Sequence, residues 1–273
     1  MKYEYKKSSY NNVWKGVKHV ISNSSNTTNT SLYNLSSRCK RASMNQMMDA
    51  GGEEKRRIDI VTDALSLAIR QMVFRSTKGS RLLPRYKLSI LAYSDHVFDL
   101  LGGVKTIDEV ARLRPLEKIQ THRLTDTAKA FSVVEKLLQK ELPNLQDGPA
   151  PVVCHMTDGA STGEDPELIV RRIMNMSVPD GNVLIENIFI SDEIMQEQIT
   201  NIKKWEGIMP NTEITDEYGA KLQRLSSPIP QSYREMMTEH GFHIADGAVM
   251  MFPGTNADLV SLGFQMSAAT PVR

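Results

Sequence analysis

The chain has 273 residues, enough for one α/β domain with a short extension, and its 40% hydrophobic fraction can fill a real core. Basic and acidic side chains nearly cancel, 33 against 32, so the global charge does not call for nucleic acid or an anionic membrane as partner. No stretch of about 18 apolar residues suggests a membrane span. The basic start, Met1–Lys7, is followed by polar residues where a secretory signal needs its apolar stretch, and the two cysteines, Cys39 and Cys154, lack metal or redox spacing. Together these predict a cytoplasmic protein.

Composition changes near Ser43. Residues 1–41 carry eight Lys/Arg and one acid, Glu4, and thirteen of the sixteen residues from Ser22 to Ser37 are Ser, Thr or Asn. Such a tract buries little against the entropy of ordering its backbone, so residues 1–43 are expected to form a disordered basic leader ahead of a domain over residues 44–273.

Beyond Ser43 helical and extended patterns alternate. Ile58–Arg75 places Ile58, Val61, Leu65, Ala68, Ile69 and Met72 at helical spacing. Tyr86–Ser94 reads as a strand, and Val97–Leu101 as its hairpin partner. Thr127–Glu141 is an amphipathic helix. Pro151–Met156 and Asn182–Ile190 are nearly continuous apolar runs, the mark of strands covered on both faces. Glu167–Met176, Glu193–Trp205, Glu217–Leu225, Gln231–His240 and Thr255–Gln265 read as helices, the last capped by Thr255 or Asn256. The alternation implies a doubly wound, mostly parallel sheet with one antiparallel edge hairpin.

In such a sheet, ligands sit beyond the carboxyl ends of the central strands. Thr157-Asp158-Gly159 follows one apolar run, and Thr125-Asp126-Thr127 precedes the helix at 127–141. Each tripeptide alone has an ordinary explanation: a turn after a strand, or a helix cap. His155 inside its strand is expected to pack in the core, His240 and His243 lack acidic or cysteine partners, and Glu164, Asp165 and Glu167 suit a helix start. No Ser/His/Asp or Cys/His arrangement and no glycine-rich phosphate loop can be nominated.

In order and spacing, the two tripeptides resemble the second and third elements of the adhesion site in von Willebrand factor type A (vWA) domains. Arg56–Leu65 (RRIDIVTDAL), the strand Tyr86–Ser94, residues 157–167 (TDGASTGEDPE), 180–184 (DGNVL) and 252–262 (FPGTNADLVSL) extend the resemblance to bacterial cytoplasmic members, some from stress- and tellurite-resistance clusters. It covers residues 44–273. The resemblance implies a Rossmann-like fold, no catalysis, and a protein partner recruited at loops around Thr125, Asp158–Asp165 and Ser43–Met48. It also implies magnesium held by a D-x-S-x-S loop with a distal Thr and Asp, a hard-oxygen set open to a partner's carboxylate. The matching metal positions are Ser43, Thr125 and Asp158.

The first element departs from the family's D-x-S-G-S-M. Here Cys39-Lys40-Arg41-Ala42-Ser43-Met44 stands in its place, with Cys39 at the primary Asp and Arg41 at the first Ser. Magnesium affinity is therefore expected to fall severely, with the Arg41 guanidinium substituting for the ion's charge beside Asp158. Leu32–Arg38 does not read as a buried strand; Gly16–Ile21, followed by Asn23-Ser24-Ser25-Asn26-Thr27, is a second candidate for the strand and loop. The first 42 residues are thus expected to differ from the ancestral start, as a shifted reading frame would produce. Alternatives are a metal-dependent phosphate-chemistry enzyme using Asp158, and a non-functional remnant.

Overall fold

The computed structural model describes residues 24–25, 28–29, 31–37, 46–49, 53–113, 126–159, 161, 163–191, 194–195, 199–255 and 257–268. It is a mixed α/β structure built on a seven-stranded sheet. The strands are β1 (Ser31–Ser37), β2 (Lys87–Tyr93), β3 (Val97–Asp99), β4 (Lys105–Thr106), β5 (Val152–Thr157), β6 (Leu184–Phe189) and β7 (Met251–Pro253). They lie in the order β4-β2-β1-β5-β6-β7. Strands β2, β1, β5, β6 and β7 are parallel. At the outer edge of β2, β3 and β4 pair antiparallel with it, at its carboxyl and amino halves respectively.

The helices are α1 (Arg57–Ser76), α2 (Ile107–Val110), α3 (Thr127–Glu141), α4 (Glu167–Met174), α5 (Glu217–Arg224), α6 (Gln231–Glu239) and α7 (Ala257–Ala268). The period-two alternation of the strands sorts their side chains onto two faces. Leu88, Ile90, Val152, Cys154, Met156 and Ile188 pack in one core with Ile60, Leu65 and Ile69 of α1 and Val260 and Phe264 of α7. Leu91, Tyr93, Val153 and Ile185 point the other way, against Phe131, Val134 and Leu138 of α3 and Val170 and Ile173 of α4. Gly263 lets α7 approach the sheet: a Cβ there would lie 2.8 Å from the Ile188 side chain. None of the described helices is long and apolar enough to cross a membrane.

The strand order corrects the reading of the leader. Ser31–Ser37 is not an appendage: it is the central strand, paired along its length with β2 on one side and β5 on the other. Composition weighed the side chains, whereas a ladder is made by the backbone, and this segment (SLYNLSS) contains neither proline nor glycine to interrupt it. Without it, the inner edges of β2 and β5 would each leave buried N–H and C=O groups unpaired, at about 1–3 kcal/mol apiece. Ser24–Ser25 and Thr28–Asn29, within the second candidate region, form a small antiparallel hairpin instead; Gly16–Ile21 lies outside the described residues.

Two smaller differences have local causes. Residues 199–205 form turns where a helix is predicted: Asn201 Oδ1 accepts the Lys203 amide at 3.0 Å, closing an Asx turn, and Trp205 is held edge-on against Phe252. Strand β7 is only three residues long and sits within a continuous apolar run, so period two has no room to show.

A row of polar side chains crosses the α3 face. Tyr93 Oη lies 2.8 Å from His155 Nε2, and His155 Nδ1 lies 2.8 Å from Asn187 Oδ1. Asn187 Nδ2 donates to Ser226 Oγ at 2.9 Å, which donates to the Leu222 carbonyl at 2.8 Å. Because Tyr93 and His155 belong to the two neighbours of β1, their bond spans that strand. His155 is therefore a core residue, as its strand position predicts, but a bonded one.

Two outcomes follow from this architecture. Leu35→Pro removes an N–H from the middle of the central strand and should abolish the cooperative thermal transition seen by circular dichroism; an unchanged melt would place β1 outside the sheet. The second concerns pH. Burial holds the His155 imidazole down at about 4, with the bond to Asn187 opposing the shift. The folded chain keeps the ring neutral while the unfolded chain binds a proton near pH 6.5, so stability present above 6.5 is lost as pH falls toward 4, by up to about 3 kcal/mol. His155→Gln, which can accept from Tyr93 and donate to Asn187 without titrating, should flatten that slope in denaturant titrations at pH 7 and pH 4.5.

Candidate functional site

The strand order reverses between β1 and β5: the chain passes from β1 outward to β2, then returns to place β5 on the other side of β1. In open α/β sheets a reversal of this kind is where loops diverge at the strands' carboxyl ends and ligands bind. Asp158, half-buried, directly follows β5 at this point.

The two motifs singled out in the sequence converge there. Asp126 is the N-cap of α3; its Oδ1 accepts the Lys129 amide at 2.9 Å, so the ordinary reading of this acid as a cap holds. Its own amide donates to the Ser94 carbonyl at 2.8 Å, fastening the start of α3 to the end of β2. From the β5 side, Ser161 Oγ accepts the Thr127 amide at 3.3 Å. Gly163 passes so close to Asp126 that a Cβ at this position would lie 2.8 Å from Asp126 Oδ1. Loop 158–167 is thus seated against the N-terminus of α3.

The loop is held at both ends. Thr157 Oγ1 donates to the Gly159 carbonyl at 2.8 Å, and Asp165 Oδ1 accepts the Glu167 amide at 2.9 Å, initiating α4. Asp165 also pairs with Lys221 of α5, which together with the Glu167 amide keeps its carboxyl below the usual carboxylate range. On the β2 side, Ser94 Oγ donates to Asp95 Oδ1 at 2.8 Å and lowers that carboxyl, while Lys129 Nζ donates to the Asp95 carbonyl at 2.8 Å. Among the described residues acid outnumbers base here: Asp95, Asp126, Asp158, Glu164, Asp165 and Glu167 against Lys129, Arg171 and Lys221, of which Arg171 pairs with Glu167 and Lys221 with Asp165.

Of the three metal positions expected from the resemblance, only Asp158 is among the described residues. Ser43 and Thr125 lie outside them, as do Cys39 and Arg41. Among the described residues no group of three or more His, Cys, Asp or Glu could hold a metal ion. In the loop that follows Asp158 the Ser161 hydroxyl accepts the Thr127 amide, and the capping Asp126 oxygen already serves the Lys129 amide. Magnesium takes one or two carboxylates in a near-octahedral oxygen set, and the other positions expected to complete that set lie outside the described residues.

Sequence reasoning placed Ser161 and Gly163 within a crest loop but without their contacts to α3, and it missed the Ser94–Asp95 turn as part of the crest. Their roles are contacts across the reversal point, and no local pattern signals them. His155 and Asn187 did leave a signal, since a polar residue inside a continuous apolar strand must find a partner.

Gly163→Ala should displace the loop from α3 and lower the protection from hydrogen exchange of the Thr127 amide by an order of magnitude, with a loss of about 1 kcal/mol in stability. Unchanged protection would show that the loop does not bear on the cap. Comparison of the chain with protein-family models and with curated proteins returns no match.

Proposed function

We propose that this chain is a partner-binding domain of the vWA kind, doubly wound, with no catalytic role, that recruits a protein through the crest at the carboxyl edge of its sheet. The observation that carries the reading is the seating of loop 158–167 on the N-cap of α3 at the point of strand reversal. The strand order β2-β1-β5-β6-β7, with an antiparallel edge beside β2, supports the same assignment. A crest pinned by backbone and side-chain bonds has little conformational entropy left to lose, so its contacts convert efficiently into affinity.

The resemblance implies a partner carboxylate docked on magnesium. The acidic balance of the described crest favours a different complement: a segment presenting Lys, Arg or backbone N–H groups to Asp158, Glu164 and Asp165. In this reading binding needs no bound cation and weakens with salt.

A photo-crosslinking residue in place of Glu164 should capture a partner from host lysate, whereas one in place of exposed Asn182, at the opposite edge, should not. Asp158→Ala should lower the capture about tenfold, corresponding to the loss of one charge-assisted contact. Polylysine should compete, polyglutamate should not, and chelation of divalent ions should leave the yield unchanged. Equal capture from both positions would remove the crest as the binding surface. Loss of capture on chelation would restore the metal-dependent mode.

A further inference from the structure

The end of the sheet opposite the crest carries a basic surface. Residues 70–87 hold six Lys or Arg (Arg70, Arg75, Lys78, Arg81, Arg85 and Lys87) and no Asp or Glu. They span the last turns of α1, a short hairpin of Thr77–Lys78 against Arg81–Leu82, and the loop that enters β2 at its amino end. The near-neutral charge of the whole chain hides this run, because acids elsewhere balance it.

Part of the charge serves the fold. Lys87 pairs with Glu141 at 3.6 Å, Arg75 bonds the Tyr86 phenol, and exposed Arg70 donates from Nε to the Ser66 carbonyl at 3.1 Å. The hairpin is different. Lys78 and Arg81, both exposed, stand directly opposite one another in it, and like charges so placed repel. Gly79, at φ 62°, turns the chain tightly between them. Thr77 Oγ1 donates to the Val73 carbonyl at 2.7 Å, and the Leu83 amide donates to the Ser76 carbonyl at 2.9 Å. The hairpin is thereby fastened to the end of α1, with its two cations held together. Anions placed over the pair relieve the repulsion.

Apolar surface is interleaved with this charge. Phe74 is 81% exposed and Leu67 38%. Seven residues apart, they share one face of α1, about 10 Å from each other along its axis, with Arg70 between them. Their stripe stops at Asp63, which pairs with Lys55. Half-buried Leu82 and Leu83 and exposed Pro84 lie between Arg81 and Arg85. A single-stranded nucleic acid would use the Phe74 ring but leave Leu67, Leu82 and Pro84 idle, since stacking needs a π face. A lipid headgroup layer accepts aliphatic and aromatic groups alike at the acyl boundary, while its phosphates and carboxylates meet the cations.

We propose that this edge is a docking surface for an anionic membrane leaflet: Phe74 enters the boundary between headgroups and acyl chains, and Arg70, Lys78, Arg81 and Arg85 meet the lipid anions. The crest lies at the other end of β2, and the proposal does not rest on the partner-binding reading.

Co-sedimentation of the full chain with phosphatidylcholine vesicles, with and without phosphatidylserine, tests the assignment. The serine lipid should tighten binding at least about tenfold, and added salt should weaken it. Arg81→Glu turns the like-charged pair into an opposite one, so it should lower binding about tenfold or more while keeping or raising the melting temperature. Phe74→Ser should lower binding about tenfold, and Phe74→Trp should add fluorescence that acyl-brominated lipids quench. Equal binding to both vesicles, binding to neither, unchanged binding by Arg81→Glu, or no added quenching with Phe74→Trp would overturn the proposal. So would binding of oligothymidylate by a chain that ignores the vesicles, which would assign the surface to nucleic acid.

Discussion

The hydrogen bond between Tyr93 and His155 joins what the rest of the structure must keep together: the two strands on either side of β1, and through Thr127 the start of α3. The row to which it belongs has a direction fixed from one end. The Leu222 carbonyl can only accept, so Ser226 donates to it and receives from the Asn187 amide nitrogen. The Asn187 oxygen then faces His155, which makes Nδ1 the donor and Nε2 the acceptor, and Tyr93 must donate to Nε2. The Tyr93 oxygen is left to accept from the Thr127 hydroxyl at 3.4 Å. A terminal carbonyl on α5's side thus selects a histidine tautomer three strands away from the sheet's other edge. Every member being satisfied, the row specifies one arrangement of the sheet instead of weakening its core.

The crest inherits its shape from that arrangement. Tyr93 is the last residue of β2, and Thr127 is the first of α3, so the row ends where the candidate site begins. The acids gathered there are held by helix N-termini and neighbouring basic side chains. Asp126 and Glu167 lie at the N-termini of α3 and α4, where unpaired amides and the helix dipole favour negative charge, and Asp165 lies beside Lys221. The surface that results is acidic among the described residues, and preorganised.

Most of the long elements were legible as periodicity. The helix predicted over Thr127–Glu141 has those bounds in the structure, and the apolar runs at 151–156 and 182–190 are strands covered on both faces. The central strand was not legible, because nothing in S-L-Y-N-L-S-S announces a place inside a sheet; what makes it a strand is the pair of edges on each side, a non-local property. Asp158 and Asp126 could be placed near one another from the alternation of elements alone. The contacts that bring them together, through Ser161 and Gly163, depend on the path of a loop and are invisible to spacing.

The position of β1 has a consequence for the order of events in synthesis. Leu35 pairs with Leu91 and with His155, partners 56 and 120 residues further along the chain (91 − 35 and 155 − 35). At about 5–20 residues per second, a ribosome delivers the second partner on the order of ten seconds after the first strand has emerged. Through that interval the middle of the future sheet has at most one side to pair with, and its polar, serine- and asparagine-rich composition keeps it from aggregating while it waits. The feature that hid this strand from pattern reading is the one that makes it safe to translate first.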